Sequence, residues 1–151
     1  MNPPPPGWPR MSSGVYYVDP GAAIDWLCRA FGFEVRLRVE HEGTIVHSEL
    51  TFGDGLVMVG GSGRNDAGKE SWQARMKSPR EVGGHVTQSI CVFVDDCDAH
   101  YARSRAAGAV IIRDPETSDH GDDYWSDRTY GALDPEGHLW WFIQRLRTGR
   151  G

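Results

Sequence analysis

His47 and Glu49 stand two residues apart within the alternating run Thr44–Phe52. On a β-strand that spacing puts both side chains on one face. An imidazole beside a carboxylate can work as an acid–base pair or contribute to a metal site. The plainer reading is a His–Glu hydrogen bond on a solvated face. Val46, Leu50 and Phe52 occupy the other face of the run. If that apolar set meets a helix, His47 and Glu49 point the opposite way. His120, among Asp119, Gly121, Asp122 and Asp123, could hold a cation, though a solvated acidic loop explains it more simply. His100 falls on a helix surface, His138 follows a turn and His85 lies in a joining segment, so none carries a comparable signal. Cys28, Cys91 and Cys97 are an odd set without a C-x-x-C pair. They fit neither a disulfide framework nor a zinc knuckle. As reduced thiols they pack as small hydrophobes.

Aromatic residues form the second group able to make a site. Near the C-terminus, Leu139, Trp141 and Ile143 alternate with Trp140 and Phe142, so the two tryptophans face opposite ways. Tyr124 and Trp125 begin the preceding strand, and Trp72 lies in the joining segment. Trp and Tyr around a few polar groups suit a flat or cationic organic ligand.

The elements that position these residues must come from a chain of 151 residues and 16.8 kDa. A chain of this size can bury roughly 70% of its unfolded surface, enough for a core without cross-links. The hydrophobic content of 39% and charged content of 25% are ordinary globular values. A net charge of −5 argues against a nucleic-acid partner, whose phosphates require a basic face. No run of about 18 apolar residues suggests a membrane span, and the N-terminus lacks the pattern of a secretory leader. A cytoplasmic protein is expected.

Residues 1–12, with four consecutive prolines, read as a flexible extended arm; either Met1 or Met11 can be the start. Beyond the arm the sequence repeats at a spacing of 76 residues. Val18 meets Val94, Asp19 meets Asp95, Ala23 meets Ala99, Arg29 meets Arg105, Ala30 meets Ala106, and Gly32 meets Gly108. Each copy has an apolar strand (Val15–Val18; Ile90–Val94), an Asp placed to cap a helix, and a helix of about three turns ending at glycine. In the first copy Pro20 occupies the first helical position, and Ala23, Trp26, Leu27, Ala30 and Phe31 make one apolar face. Three strands follow in each copy. They are Phe33–Val39, Thr44–Phe52 and Leu56–Val59 in the first. In the second they are Val110–Arg113, Tyr124–Leu133 and His138–Arg145, with a polar excursion from Asp114 to Asp123. The expected architecture is α+β: one domain over 13–146, with βαβββ modules at 13–61 and 85–145, a linker at 62–84 and a tail at 147–151.

The duplicated βαβββ unit, with GGHVTQSICVFVDDCDAHYARSRAAGA and YWSDRTYGALDPEGHLWWF, resembles the vicinal oxygen chelate superfamily of glyoxalases, bleomycin-resistance proteins and extradiol dioxygenases. The resemblance implies two sheets curled into a cup-shaped, mostly antiparallel open barrel, with ligands inside. It also implies a metal held from the first and last strands of each module. At those positions this chain has Ser89 and Trp141 and, through the repeat, Ser13 and about Val59, none an ordinary ligand for a divalent metal. The inherited metal site is therefore read as lost, and no cofactor is expected. The resemblance turns Trp141 into the cup and leaves Trp140 in the sheet–helix core. It also places Tyr17 beside Ser13, and Ser89 beside Cys91 and Phe93. Asp127-Arg128, typical of the subgroup, is taken as a structural salt link, with a ligand-anchoring arginine as the alternative.

The expected function is metal-free binding of a small aromatic or cationic molecule, in the manner of the bleomycin-resistance proteins. Tyr17, His47, Glu49, Ser89, Cys91, Trp125 and Trp141 are its candidate contacts. The alternative is a glyoxalase-like lyase, isomerase or dioxygenase with a divalent metal at a non-standard site, for which His47 and Glu49 are the catalytic candidates. A third class is assembly or regulation with a cup filled by its own side chains, as when the Trp141 indole simply fills the space a metal would take. A homodimer is expected, because the family often covers sheet edges by pairing chains.

Overall fold

The computed structural model describes residues 1–63 and 71–150. Residues 64–70 of the joining segment and residue 151 of the tail lie outside the described residues. The chain divides into two compact units, Met1–Gly84 and His85–Gly151. Each is a βαβββ module with one helix and one four-stranded mixed sheet, an α+β arrangement.

In the first unit β1 (Ser13–Tyr17) leads into α1 (Pro20–Phe31), then β2 (Glu34–His41), β3 (Thr44–Phe52) and β4 (Gly55–Gly61). Asp19 caps the helix by accepting from the Ala22 amide at 3.0 Å. Gly32, at φ 81°, ends it in the left-handed conformation that glycine adopts without a Cβ clash. The sheet order is β1-β4-β3-β2; β1 and β4 are parallel and the other pairs antiparallel. Register and alternation sort the side chains into two faces. Val15, Tyr17, Leu50, Val57 and Val59 share one face and are buried, as are Ala23, Ile24, Trp26, Leu27, Ala30 and Phe31 of α1. Gly14, Tyr16, Met58, Gly60, His47 and Glu49 lie on the face away from the helix.

The second unit runs β5 (Ser89–Phe93), α2 (Cys97–Ala106), β6 (Val110–Asp119), β7 (Ser126–Leu133) and β8 (Leu139–Arg147), with sheet order β5-β8-β7-β6. Trp140, Phe142, Tyr130 and Ala132 are fully buried on one sheet face. Tyr130 stacks on Phe142 with ring centroids 5.0 Å apart. Its hydroxyl lies 2.6 Å from His100 Nδ1 and 2.7 Å from Ser104 Oγ. The His100 ring packs 4.2 Å from Phe142, so this histidine belongs to the helix–sheet junction rather than to an open helix surface. Trp140 donates through Nε1 to Asp134 at 3.0 Å. Asp134 also accepts from the Glu136 and His138 amides, tying the β7–β8 turn to the core. Burial pushes the Cys97 thiol up, as expected for an inert packed cysteine.

Four expectations change. The cap of α2 is Asp96, which accepts from the Ala99 amide at 2.9 Å, and not Asp95. The modules therefore correspond at 77 residues before the helix and at 76 after it, where α2 is the shorter helix. That single-residue slip exchanges the faces of β1. Next, the polar excursion after Val110–Arg113 is mostly strand: β6 continues to Asp119 and pairs with β7 through two irregularities. As an edge strand it tolerates Pro115 and hides neither face, so its sequence lacks alternation. Asp127 and Arg128 do not pair with each other, because neighbours on a strand point oppositely. Asp127 meets Arg145 at 2.5 Å, while Arg128 makes a bidentate pair with Asp98 of α2. Finally, the N-terminal arm is docked. Arg36 of β2 donates to the Gly7 carbonyl and lies 5.1 Å over the Trp8 ring.

Candidate functional site

The first unit holds a cavity of about 260 Å³ bordered by the end of β1, the start of β3, the end of β4 and the stretch Trp72–Met76. Tyr16, His47, Met58 and Gly60 supply its floor, and Trp72 and Met76 lie at its margin. Glycine opposite an aromatic makes the floor possible. The Tyr16 ring crosses both Gly14 and Gly60, where an added Cβ would meet it at 3.1 and 3.3 Å. Trp72 belongs to a short 3₁₀ turn, Trp72–Arg75, and remains 63% exposed. Gly63 donates to the Met76 carbonyl at 2.9 Å and fixes this margin to the end of the sheet.

His47 and Glu49 do share the sheet face away from α1. His47 Nε2 lies 2.9 Å from Glu49 Oε1, and Glu49 Oε2 lies 3.3 Å from Arg36 Nε. The Glu49 side chain is 7% exposed and that of His47 is 42% exposed. The carboxylate thus sits behind the imidazole, which reaches the cavity. Tyr17, expected beside them, is fully buried on the helix side; Tyr16 takes that place because of the slip at the helix cap. Val59 is likewise buried, and both it and its neighbour Met58 border the cavity.

On the second unit's face away from α2, Ser89 and Cys91 are exposed and pair with Leu139 and Trp141 of β8. Trp141 is half-buried and lies directly over Gly131. A Cβ at Gly131 would fall 2.6 Å from the indole Cζ3. Along the same face the Arg145 guanidinium lies 5.4 Å from the Phe93 ring centroid and 5.7 Å from that of Trp125, while pairing with Asp127. Trp125 is 43% exposed. Ser89, Cys91, Phe93, Trp125 and Trp141 thus lie along one polar and aromatic surface, to which the structure adds Arg145. A more open groove of about 610 Å³ lies beside α2 and β6. Its Arg113 and Arg128 are already paired with Glu116 and Asp98.

The residues present do not fit the metal that the family resemblance implies. Ser89 and Trp141 offer neither imidazole nor carboxylate; in the first unit Met58 stands where Trp141 does, and the 77-residue correspondence takes Ser89 to Ser12, so no ordinary ligand appears there either. Glu49 is engaged by both His47 and Arg36. His120 packs 5.3 Å from the Trp125 ring, and its neighbours Asp119 and Asp122 pair with Arg147 and Arg150. The Gly121 amide, followed by Arg147, holds the Asp119 carboxyl below the ordinary range. Among the described residues no group of three His, Cys, Asp or Glu side chains is placed to hold a metal. Nor, among them, is any helix long and apolar enough to cross a membrane.

Comparison with known proteins agrees with this architecture. TioX from Micromonospora sp. ML1 is 38% identical, with a TM-score of 0.68 over 90% of this chain and 98% of that one. A superfamily member from Sphaerobacter thermophilus is similar in fold alone, at 19% identity and a TM-score of 0.64 over 88% and 94% of the two chains. An uncharacterised protein of Mycobacterium bovis is 29% identical over 92% of this chain and 85% of its own. The family model for the Glyoxalase/Bleomycin resistance protein/Dioxygenase superfamily matches residues 13–142. Two βαβββ modules of one topology, matched along nearly their whole length, establish that this chain belongs to that superfamily.

Proposed function

We propose that the chain is a metal-independent binding protein for a small planar aromatic or cationic molecule, in the manner of the bleomycin-resistance branch of its superfamily. The observation that carries this reading is Trp141, an indole where the resemblance implies a carboxylate, laid over Gly131 on an exposed sheet face. An indole there offers a stacking surface, whereas a carboxylate would hold a cation. The enzymatic alternative needs a metal donor set that the described residues do not assemble. A homodimer belongs to the same proposal. Val35, Leu37 and Val39 stand exposed on the edge strand β2, and an unpaired apolar edge favours association with another chain.

The test is a tryptophan-fluorescence titration with proflavine, a planar aromatic cation. Trp141→Ala is expected to weaken binding about two- to tenfold through the lost stacking contact, and EDTA to leave binding unchanged. Trp140→Ala serves as the control. Truncating that fully buried indole should cost about 3–5 kcal/mol of stability rather than alter one site. Binding that survives Trp141→Ala intact, or that EDTA abolishes, refutes the proposal.

A further inference from the structure

We infer that the cavity of the first unit takes an aromatic ring bearing a hydroxyl group, with the hydroxyl donating to Nδ1 of His47. The inference deepens the binding reading above and rests on it, but its residues are those of the first unit alone.

The argument begins with the proton on His47. A carboxylate only accepts hydrogen bonds, so the 2.9 Å contact with Glu49 fixes Nε2 as the donor. Glu49 Oε2 faces the Arg36 guanidinium at 3.3 Å, so each carboxylate oxygen has its own donor. With the proton on Nε2, a neutral imidazole presents Nδ1 as an acceptor. Among the described residues Nδ1 has no hydrogen-bond partner. The imidazole borders the cavity while Glu49 stays behind it. A ligand must therefore bring a donor to this point, and an aromatic hydroxyl is a strong neutral one.

The surroundings select the ring. Tyr16 lies flat across Gly14 and Gly60, Trp72 stands at the margin, and Met58 and Met76 supply polarisable sulfur. Aromatic faces and thioethers favour a flat unsaturated ring. A volume of about 260 Å³ falls just below the range of roughly 300–1,000 Å³ usual for drug-sized ligands. One substituted ring fits, since an apolar cavity of about 150 Å³ already holds benzene.

The experiment compares 4-cyanophenol, chiefly un-ionised at neutral pH, with its methyl ether, 4-methoxybenzonitrile, on the full chain by tryptophan quenching and calorimetric titration. The two share ring and nitrile group and differ in the single donor. The phenol is expected to bind about tenfold more tightly, the scale of one well-placed hydrogen bond. His47→Ala should abolish that preference while leaving ether binding within about twofold. Glu49→Gln should reduce it with His47 still present, because a side-chain amide can donate to Nε2 and shift the ring proton to Nδ1. Trp141→Ala should leave the preference intact. Equal binding of the two probes, a preference that survives His47→Ala, or no binding of either probe overturns the inference. The proflavine result then decides separately whether the binding reading stands.

Discussion

Gly131 carries no side chain because Trp141 occupies the space where one would be. Added at Gly131, a Cβ would lie 2.6 Å from Cζ3 and 3.0 Å from Cε3 and Cη2 of the indole. Real Cβ contacts are longer, so Gly131→Ala must shift the ring or the strand. Overpacking of this kind costs about 1–3 kcal/mol. Replacing glycine in ordinary extended backbone returns about 0.4–1 kcal/mol by restricting the unfolded chain. A net loss of about 1–2 kcal/mol follows, which for a chain of 151 residues lowers the melting temperature by roughly 2–8 °C. The assay is a double-mutant cycle read by urea denaturation. In the Trp141→Ala background the obstacle is gone, and Gly131→Ala should be neutral or stabilising by up to about 1 kcal/mol. The coupling between the two positions should therefore reach at least about 1 kcal/mol. Intrinsic fluorescence supplies an independent readout, since a displaced Trp141 becomes more accessible to acrylamide. If Gly131→Ala has the same effect in both backgrounds, Trp141 does not rest on Gly131 and the stacking surface proposed there loses its geometric basis.

Asp98 and the dimer supply two further tests. The bidentate hydrogen bond from Arg128 holds the Asp98 carboxyl below the ordinary aspartate range. A carboxyl whose folded pKa is depressed stabilises the fold above its unfolded value of about 3.9 and loses that contribution as pH falls through the folded value. Asp98→Asn should therefore melt at a lower temperature than the parent at neutral pH and converge with it in acid. Parallel curves at all pH values would refute the link. For the dimer, light scattering should give twice the chain mass at micromolar concentration, and Leu37→Lys on β2 should shift the population toward monomer. A parent that remains monomeric at high micromolar concentration refutes it.

Local chemistry made much of the fold legible. Asp19-Pro20 and Gly32 specify the start and end of α1, and the spacing of its apolar residues specifies the buried face. The face pattern of β8 was equally legible. Trp140 and Phe142 are wholly buried, while Trp141 remains half-buried on the opposite side, as strand alternation requires. His47 and Glu49 share a face for the same reason, and their contact at 2.9 Å needed only strand geometry to be foreseen. Less was legible in β6, where exposure of both faces removes the alternation that marks a strand.

What tertiary structure alone decided is the phase of β1 and, with it, the composition of the cavity. Asp95 and Asp96 are both competent caps, and nothing in their local sequence selects between them. The choice follows from pairing. Once Cys91 stands opposite Trp141 and the sheet buries Trp140 and Phe142, α2 must begin at Cys97, and Asp96 becomes the residue before it. Counted from that cap, Tyr16 rather than Tyr17 faces the cavity. A strand has a period of two, so one residue of slip exchanges every inward side chain for an outward one. Arg36 behind Glu49, Trp72 and Met76 beside Tyr16 and His47, and Arg145 close to Phe93 and Trp125 join residues distant in sequence. Their encounter is fixed by strand register and by how the joining segment returns to the sheet, neither of which any local run of residues encodes.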